Sequence, residues 1–300
     1  MGTPEFAVPG LKILRDNGFN IVAVVTAPDK PSGRGLQLQQ SPVKQFAIEN
    51  NIPVLQPVKL KSEDFITELA SYSADLQVVV AFRMLPEIVW NMPRLGTLNL
   101  HASLLPDYRG AAPINHVIIN GEKETGATTF FLKHAIDTGD ILFTEKIKIE
   151  DDDDAGTLHD KLMMLGAELI LKTVQAIEEG NYNPVPQTKS SQKIAPKIFK
   201  ENCLINWNDS NENIRNFIRG LSPYPGAYTI LNNKTIKIFK VEKENITHQE
   251  LPGKLVTDNR SYIKFATKDG FLQVSELQFE GKKRMPTPEF LRGNNLLLKN

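Results

Sequence analysis

Residues 76–81, Leu-Gln-Val-Val-Val-Ala, form a near-continuous apolar run rich in β-branched side chains. Such a run is the signature of a strand buried on both faces, and a doubly buried strand requires layers packed on either side of it. The flanking sequence supplies them. A helix is expected over 7–17, closed by Gly18, then a strand over 21–26. Pro42 opens a helix to about residue 50, where proline is well tolerated in the first turn. A short strand at 53–55, a helix at 62–72 and a strand at 97–101 follow. This rhythm predicts βαβ units and an α/β fold with a Rossmann-like, mostly parallel sheet and helices on both faces.

Further along, a helix is expected over 112–120 and strands over 127–133 and 141–149. The run Asp151, Asp152, Asp153, Asp154 reads as a solvated loop. Thr157 is placed to cap a helix ending near residue 179, with Asp160 at its third position and Gly180 beyond. Residues 181–204 carry Pro184, Pro186 and Pro196 among polar residues and read as a linker. The last segment has another texture. A helix over 210–220 puts Ile214, Phe217, Ile218 and Leu221 on one face. Strands follow at 227–231, 235–241, 261–267 and 271–278, with Asn232-Asn233 and Asp269-Gly270 as hairpin signals. One helix and several short strands in about a hundred residues fit a small closed β-barrel. The expected division is therefore 1–183, a linker over 184–204, and 205–300.

Net charge is zero, yet residues 1–190 hold 17 Lys and Arg against 24 Asp and Glu, while residues 191–300 hold 18 against 11. A +7 module joined to a −7 module suggests that the second half meets a polyanion. No apolar run is long enough to cross a bilayer. The first residues show neither a basic region nor an apolar stretch, and Phe6 stands where a myristoylation signal wants Ser or Thr. Cys203 is the single cysteine, which excludes an intrachain disulfide and a multi-cysteine zinc site. A soluble, cytoplasmic protein without a metal is expected.

Asn99 and His101 lie two apart on an expected strand, so both side chains point the same way. They sit at its C-terminal end, where open α/β sheets place ligands. An amide beside an imidazole can stabilise an oxyanion, and the imidazole can move a proton. The plainer reading is a strand-end histidine bonded to a carbonyl. Asp137, in Ile136-Asp137-Thr138-Gly139-Asp140, could enter the same cleft and hold the imidazolium, or could simply belong to a turn. His116, His159 and His248 show no ligand spacing, His134 reads as a surface residue, and Trp90 and Trp207 as packing residues.

Taken together, Asn99-x-His101-x-Ser103-Leu104-Leu105-Pro106, then Arg109-Gly110, then Asp137-Thr138-Gly139 resemble the folate-dependent formyltransferase superfamily. Gly2-Thr3-Pro4-Glu5-Phe6-Ala7-Val8-Pro9, Asp29-Lys30-Pro31-Ser32-Gly33-Arg34-Gly35 and Ser41-Pro42-Val43-Lys44 narrow the resemblance to its tRNA-directed branch. The resemblance implies formyl transfer from 10-formyltetrahydrofolate to the α-amino group of methionyl initiator tRNA, through a tetrahedral oxyanion, for translation initiation. It implies Asn99, His101 and Asp137 as catalytic residues, and Ser103, Leu104, Leu105 and Pro106 as the folate segment. It implies Arg34 as a tRNA contact and an OB-like, tRNA-binding C-terminal barrel. A monomer is expected. The resemblance also implies an apolar strand preceding Met1 within the parallel sheet, so an open place beside Met1 is expected. The competing readings are a formyltransferase with another amine acceptor (a purine-pathway ribonucleotide or a nucleotide sugar), a formate-releasing hydrolase, and a non-catalytic RNA-binding protein.

Overall fold

The computed structural model describes residues 1–32, 37–187 and 193–294. In chain order its elements are a 3-10 turn Glu5–Ala7, α1 Val8–Asp16, β1 Val24–Val25, β2 Lys30–Ser32, β3 Gln37–Gln39, α2 Pro42–Glu49, β4 Val54–Leu55, α3 Glu63–Ser71, β5 Gln77–Val80, α4 Glu87–Trp90, β6 Thr97–His101, β7 Arg109–Gly110, α5 Pro113–Ile119, β8 Glu124–Phe131, β9 Ile141–Lys148 and α6 Ala155–Glu178. There follow β10 Ile194–Ala195, a 3-10 turn Lys200–Cys203, α7 Asn211–Leu221, β11 Ala227–Leu231, β12 Lys234–Glu244, β13 Leu255–Thr257, β14 Ile263–Ala266, β15 Phe271–Phe279, β16 Met285–Pro286 and α8 Thr287–Asn294.

The chain packs as two compact units. One comprises Met1–Gly110, Thr125–Ile147 and His159–Ile194; the other takes Ala111–Glu124, Lys148–Leu158 and the chain from Ala195 onward. A single cut through 184–204 keeps together segments that this packing separates.

In the first unit β1 pairs β4 in parallel, β5 pairs β6 in parallel, and β6 pairs β8 antiparallel, with β9 beyond. The parallel pairing expected from the βαβ rhythm thus stops at β6. The connection to β8 returns at the end where β6 leaves, and the sheet is mixed. The place beside Met1 is bridged by Met1 and Gly2. Gly2 N donates to Val25 O at 3.0 Å, and Val80 N donates to Met1 O at 2.9 Å. Asn99 stands opposite Val79, so the two side chains share a face. On that face Val79 packs with Phe65 and Leu69 of α3 and Val89 of α4. Leu100 points to the other face, where a Cβ on Gly166 of α6 would stand 2.6 Å from its Cδ2, so α6 lies tight against the sheet. The doubly buried strand read from residues 76–81 is β5, covered as anticipated.

The second unit is built on an antiparallel sheet of order β11-β12-β15-β14-β13, with β16 against β15. Its end strands β11 and β13 do not pair with each other, so the expected closed barrel is a half-barrel. Asn232 and Asn233 turn the first hairpin at φ 48° and 59°, the left-handed backbone that a two-residue loop demands. Ser210 caps α7 by accepting from Asn213 N at 3.2 Å. Ile214, Ile218 and Leu221 of α7 pack with Ile238, Leu272 and Phe290 in one apolar core.

The acidic run departs from expectation. Asp153 is 3% exposed. Arg219 donates to Asp153 O at 2.9 Å and Glu150 O at 3.3 Å, while Arg215 pairs with Asp151 at 3.0 Å. That pairing holds the Asp151 carboxyl below its usual range, and burial pushes the Arg219 guanidinium down. The cap of α6 is Asp154, three residues earlier than expected. Its Oδ1 accepts from Thr157 N at 2.9 Å, and Thr157 Oγ1 accepts from Asp154 N at 3.0 Å. The loop is an anchor because Arg215 pairs with the Asp151 carboxylate while Arg219, one helical turn on along α7, donates to the carbonyls of Glu150 and Asp153. Replacing Arg219 by leucine takes a donor from the Asp153 carbonyl and leaves the Glu150 carbonyl with Asp153 N alone, and should cost about 1–3 kcal/mol. A urea titration checks this; a wild-type midpoint would show that Arg215 alone holds the loop.

Candidate active site

β6 ends in Asn99 and His101, on the face that carries Val79. His101 is buried, and its Nε2–H donates to Tyr108 O at 2.9 Å. A carbonyl only accepts, so this bond fixes Nε2 as the protonated nitrogen and leaves Nδ1 as the exchangeable one. Nδ1 faces Asp137 Oδ2 at 3.9 Å, with side-chain exposures of 8% for His101 and 16% for Asp137. That separation is too long for a direct hydrogen bond. A group about 2.8 Å from each atom would sit off the line joining them, within reach of both. One nitrogen of the ring is bonded to a carbonyl, as the plainer reading expects, and the other is turned toward a carboxylate. The Asn99 side chain makes no hydrogen bond among the described residues, which leaves its amide N–H groups available to a ligand.

Asp137 is held by backbone geometry. It lies at φ 54°, in the left-handed region that disfavours residues with a Cβ, and Tyr108 lies at φ 60°. Oδ2 of Asp137 accepts from Gly110 N at 3.0 Å. Two residues on, a Cβ on Gly139 would stand 1.6 Å from Phe131 O, so only glycine lets the turn close against the strand.

The segment after His101 divides by role. Ser103 is fully buried, its hydroxyl donates to Asp107 O at 2.7 Å, and Leu105 is buried beside it. Leu105 N donates to Thr128 Oγ1 at 3.2 Å, and that hydroxyl donates to Ser103 O at 2.7 Å. Leu104 and Pro106 are the partly exposed members. Arg34 lies outside the described residues. His134 is exposed, as expected, yet packs edge-on to Trp90 at 5.4 Å and reaches Glu87 at 3.3 Å.

The formyl transferase family model matches residues 1–174, and the model of the formyl transferase C-terminal domain matches residues 197–295. The chain is 54% identical to the methionyl-tRNA formyltransferase of Bacteroides fragilis, over 99% of this chain and 94% of that one. Identity to the enzyme of that name from Flavobacterium johnsoniae is 50%, over 98% and 94%. The chain belongs to the methionyl-tRNA formyltransferase family.

Two solved structures share the fold of this family member. WlaRD, a sugar 3N-formyl transferase solved with dTDP and 5-N-formyl-THF, superposes with a TM-score of 0.68 at 24% identity, over 94% of this chain and 97% of that one. The N-formyltransferase of Helicobacter canadensis, solved with folinic acid and dTDP-3-aminofucose, gives 0.66 at 21%, over 95% and 97%.

Sequence reasoning assigned no role to three groups that shape this site: the Tyr108 carbonyl, Arg109 and Gln187. The carbonyl carries no side-chain signal, and Gln187 lies in a stretch read as linker. Gly139→Ala should shift the 137–139 turn and cut turnover about a hundredfold, the scale of an ångström-sized misplacement. Steady-state kinetics beside a thermal melt checks this; near-wild-type turnover would show that the carboxylate tolerates displacement.

Proposed function

We propose that the chain transfers the formyl group of 10-formyltetrahydrofolate to the α-amino group of methionyl initiator tRNA, with Asn99, His101 and Asp137 acting on the reacting atoms. The support that carries this reading is the near-complete alignment with methionyl-tRNA formyltransferases. A trio grouped at the C-terminal end of β6 accompanies it.

The nucleophile is a neutral amine, and an aminoacyl ester amine sheds its proton more readily than a side-chain amine because of the adjacent carbonyl. Its attack on the formyl carbon places negative charge on the formyl oxygen. The Asn99 amide donates to that oxygen, an interaction of about 2.7–4 kcal/mol for one donor in a measured oxyanion hole. His101 uses Nδ1, since Nε2 is bonded to Tyr108 O. As imidazolium it donates through Nδ1–H, and as neutral imidazole it takes a proton there. Asp137 accepts the amine proton directly or through a water. Collapse of the tetrahedral intermediate breaks the bond between the formyl carbon and N10 of the donor, and N10 takes up the proton shed by the amine, so that tetrahydrofolate and the formylated amine leave. Leu104 and Pro106 are the accessible apolar contacts beside the trio, while Ser103 and Leu105 hold their backbone in place.

On this reading Asn99→Ala, His101→Ala and Asp137→Ala each lower kcat by roughly 10²–10³ with folate affinity kept. Turnover near wild type in any one removes that residue from the mechanism. The decisive assay offers 10-formyltetrahydrofolate with charged initiator tRNA in one arm and an amino-sugar nucleotide in the other. Formylation of the sugar alone would overturn the assignment.

The second unit is the proposed tRNA-facing part. Lys240, Lys282 and Lys283 are exposed. Replacing the three by glutamine should weaken tRNA binding and reduce the slope of log affinity against log salt by about one for each phosphate no longer neutralised. An unchanged slope would place the RNA elsewhere.

A further inference from the structure

Gln187 makes four hydrogen bonds with one planar amide. Its Nε2 donates to Asp137 O at 2.9 Å and to Gly139 O at 2.7 Å. Its Oε1 accepts from Arg109 Nε at 3.0 Å and from Arg109 Nη2 at 2.5 Å. The arginine can only donate and the carbonyls can only accept, so a single orientation of the amide satisfies the set. Glutamate could keep the arginine but would set a carboxylate oxygen against two carbonyl oxygens. Asparagine is one methylene short.

The partners of this amide define its role. Arg109 lies between Tyr108, whose carbonyl fixes the His101 ring, and Gly110, whose N–H holds the Asp137 carboxylate. The carbonyls of Asp137 and Gly139 belong to the turn that carries that carboxylate. Gln187 therefore ties the loop that aims the imidazole to the turn that aims the acid. Both tied loops contain a non-glycine residue in the left-handed region, Tyr108 at φ 60° and Asp137 at φ 54°. Each such residue sits above its relaxed backbone energy and needs external contacts to persist. Val185 adds a second fastening on the same side, exchanging two 2.8 Å backbone hydrogen bonds with Ile141, just beyond the turn.

We propose that Gln187, gripped by Arg109, is a positioning residue for formyl transfer: it sets the separation between His101 Nδ1 and the Asp137 carboxylate. The proposal rests on the reading of His101 and Asp137 as the reacting pair. Gln187 touches neither reacting side chain and acts through the backbone of both loops.

The test compares Gln187→Met, Gln187→Glu, Arg109→Met and the double variant R109M/Q187M with Asp137→Asn in the full-length protein. Both single Gln187 variants should lose tenfold or more in kcat, up to the hundredfold of an ångström-scale displacement. KM for folate and for tRNA should stay within about twofold, and the pH limb of kcat that reports the His101–Asp137 pair should move. The double variant should be no worse than Gln187→Met alone, because the grip of Arg109 acts only through the Gln187 amide. A merely structural role would lower the melting temperature and leave kcat and its pH limb in place. That result in either Gln187 variant, or additive losses in the double variant, overturns the proposal. If Gln187→Met does not fold, Gln187→Glu and Arg109→Met decide. Should Asp137→Asn keep wild-type turnover, the assignment of the reacting pair itself is what has failed.

Discussion

The buried bond from His101 Nε2–H to the Tyr108 carbonyl sets the chemistry available to the site. It is a local bond, between residues seven apart, made where β6 gives way to the loop behind it. Breaking it would leave a donor and an acceptor unpaired out of water, a cost of about 1–3 kcal/mol for each. The ring is therefore locked in one tautomer and one direction before any substrate arrives. Everything else follows from the nitrogen left over: Nδ1 must carry any proton the ring exchanges, and Asp137 is the carboxylate placed beside it. The 3.9 Å gap is too long for a direct hydrogen bond between the two groups.

The scaffold delivers this arrangement through three ordinary constraints. The pleat of β6 puts Asn99 and His101 on one face and Leu98 and Leu100 on the other, so a single strand feeds both the core and the site. The antiparallel entry of β8 brings Thr128 opposite His101, where its hydroxyl receives Leu105 N and donates to Ser103 O. This staples the loop that follows the histidine. The glycine at 139 then lets the acidic turn close against Phe131, bringing a carboxylate 36 positions downstream of His101 within 3.9 Å of its ring.

What the sequence revealed and what it concealed divide along physical lines. Strands β5 and β6, helices α1, α2, α3 and α7 and the Asn232-Asn233 hairpin were legible, because each is specified by side chains within a few residues: an apolar run, a cap, a turn pair. Asn99, His101 and Asp137 were legible as residue types at a strand end, and their family resemblance joined them. Three things were not. The antiparallel β6–β8 pairing depends on the path of a connection, not on the composition of either strand. The burial of Asp153 depends on Arg219, 66 residues away, whose charge looked like any other on an amphipathic helix. The grip of Gln187 on the 137–139 turn is invisible because its partners are backbone carbonyls, which every residue possesses.

Charge counting shows the same limit from the other side. By count the C-terminal half holds a surplus of basic residues, yet several are already engaged within the fold. Lys237 donates to Pro225 O, Lys264 pairs with Glu244 at 2.8 Å, Lys243 pairs with Glu212, and Arg284 pairs with Glu276 at 2.6 Å while lying 4.3 Å from the centre of the Phe239 ring. Among the described residues, Lys200, Lys234, Lys240, Lys254, Lys268, Lys282 and Lys283 are exposed lysines with no carboxylate partner. A cation that must abandon an internal carbonyl or carboxylate before meeting a phosphate contributes less to binding than one already facing water. On the proposed reading, the attraction this surface offers an RNA backbone falls to those exposed cations, while the internal pairs fasten neighbouring elements of the half-barrel to one another.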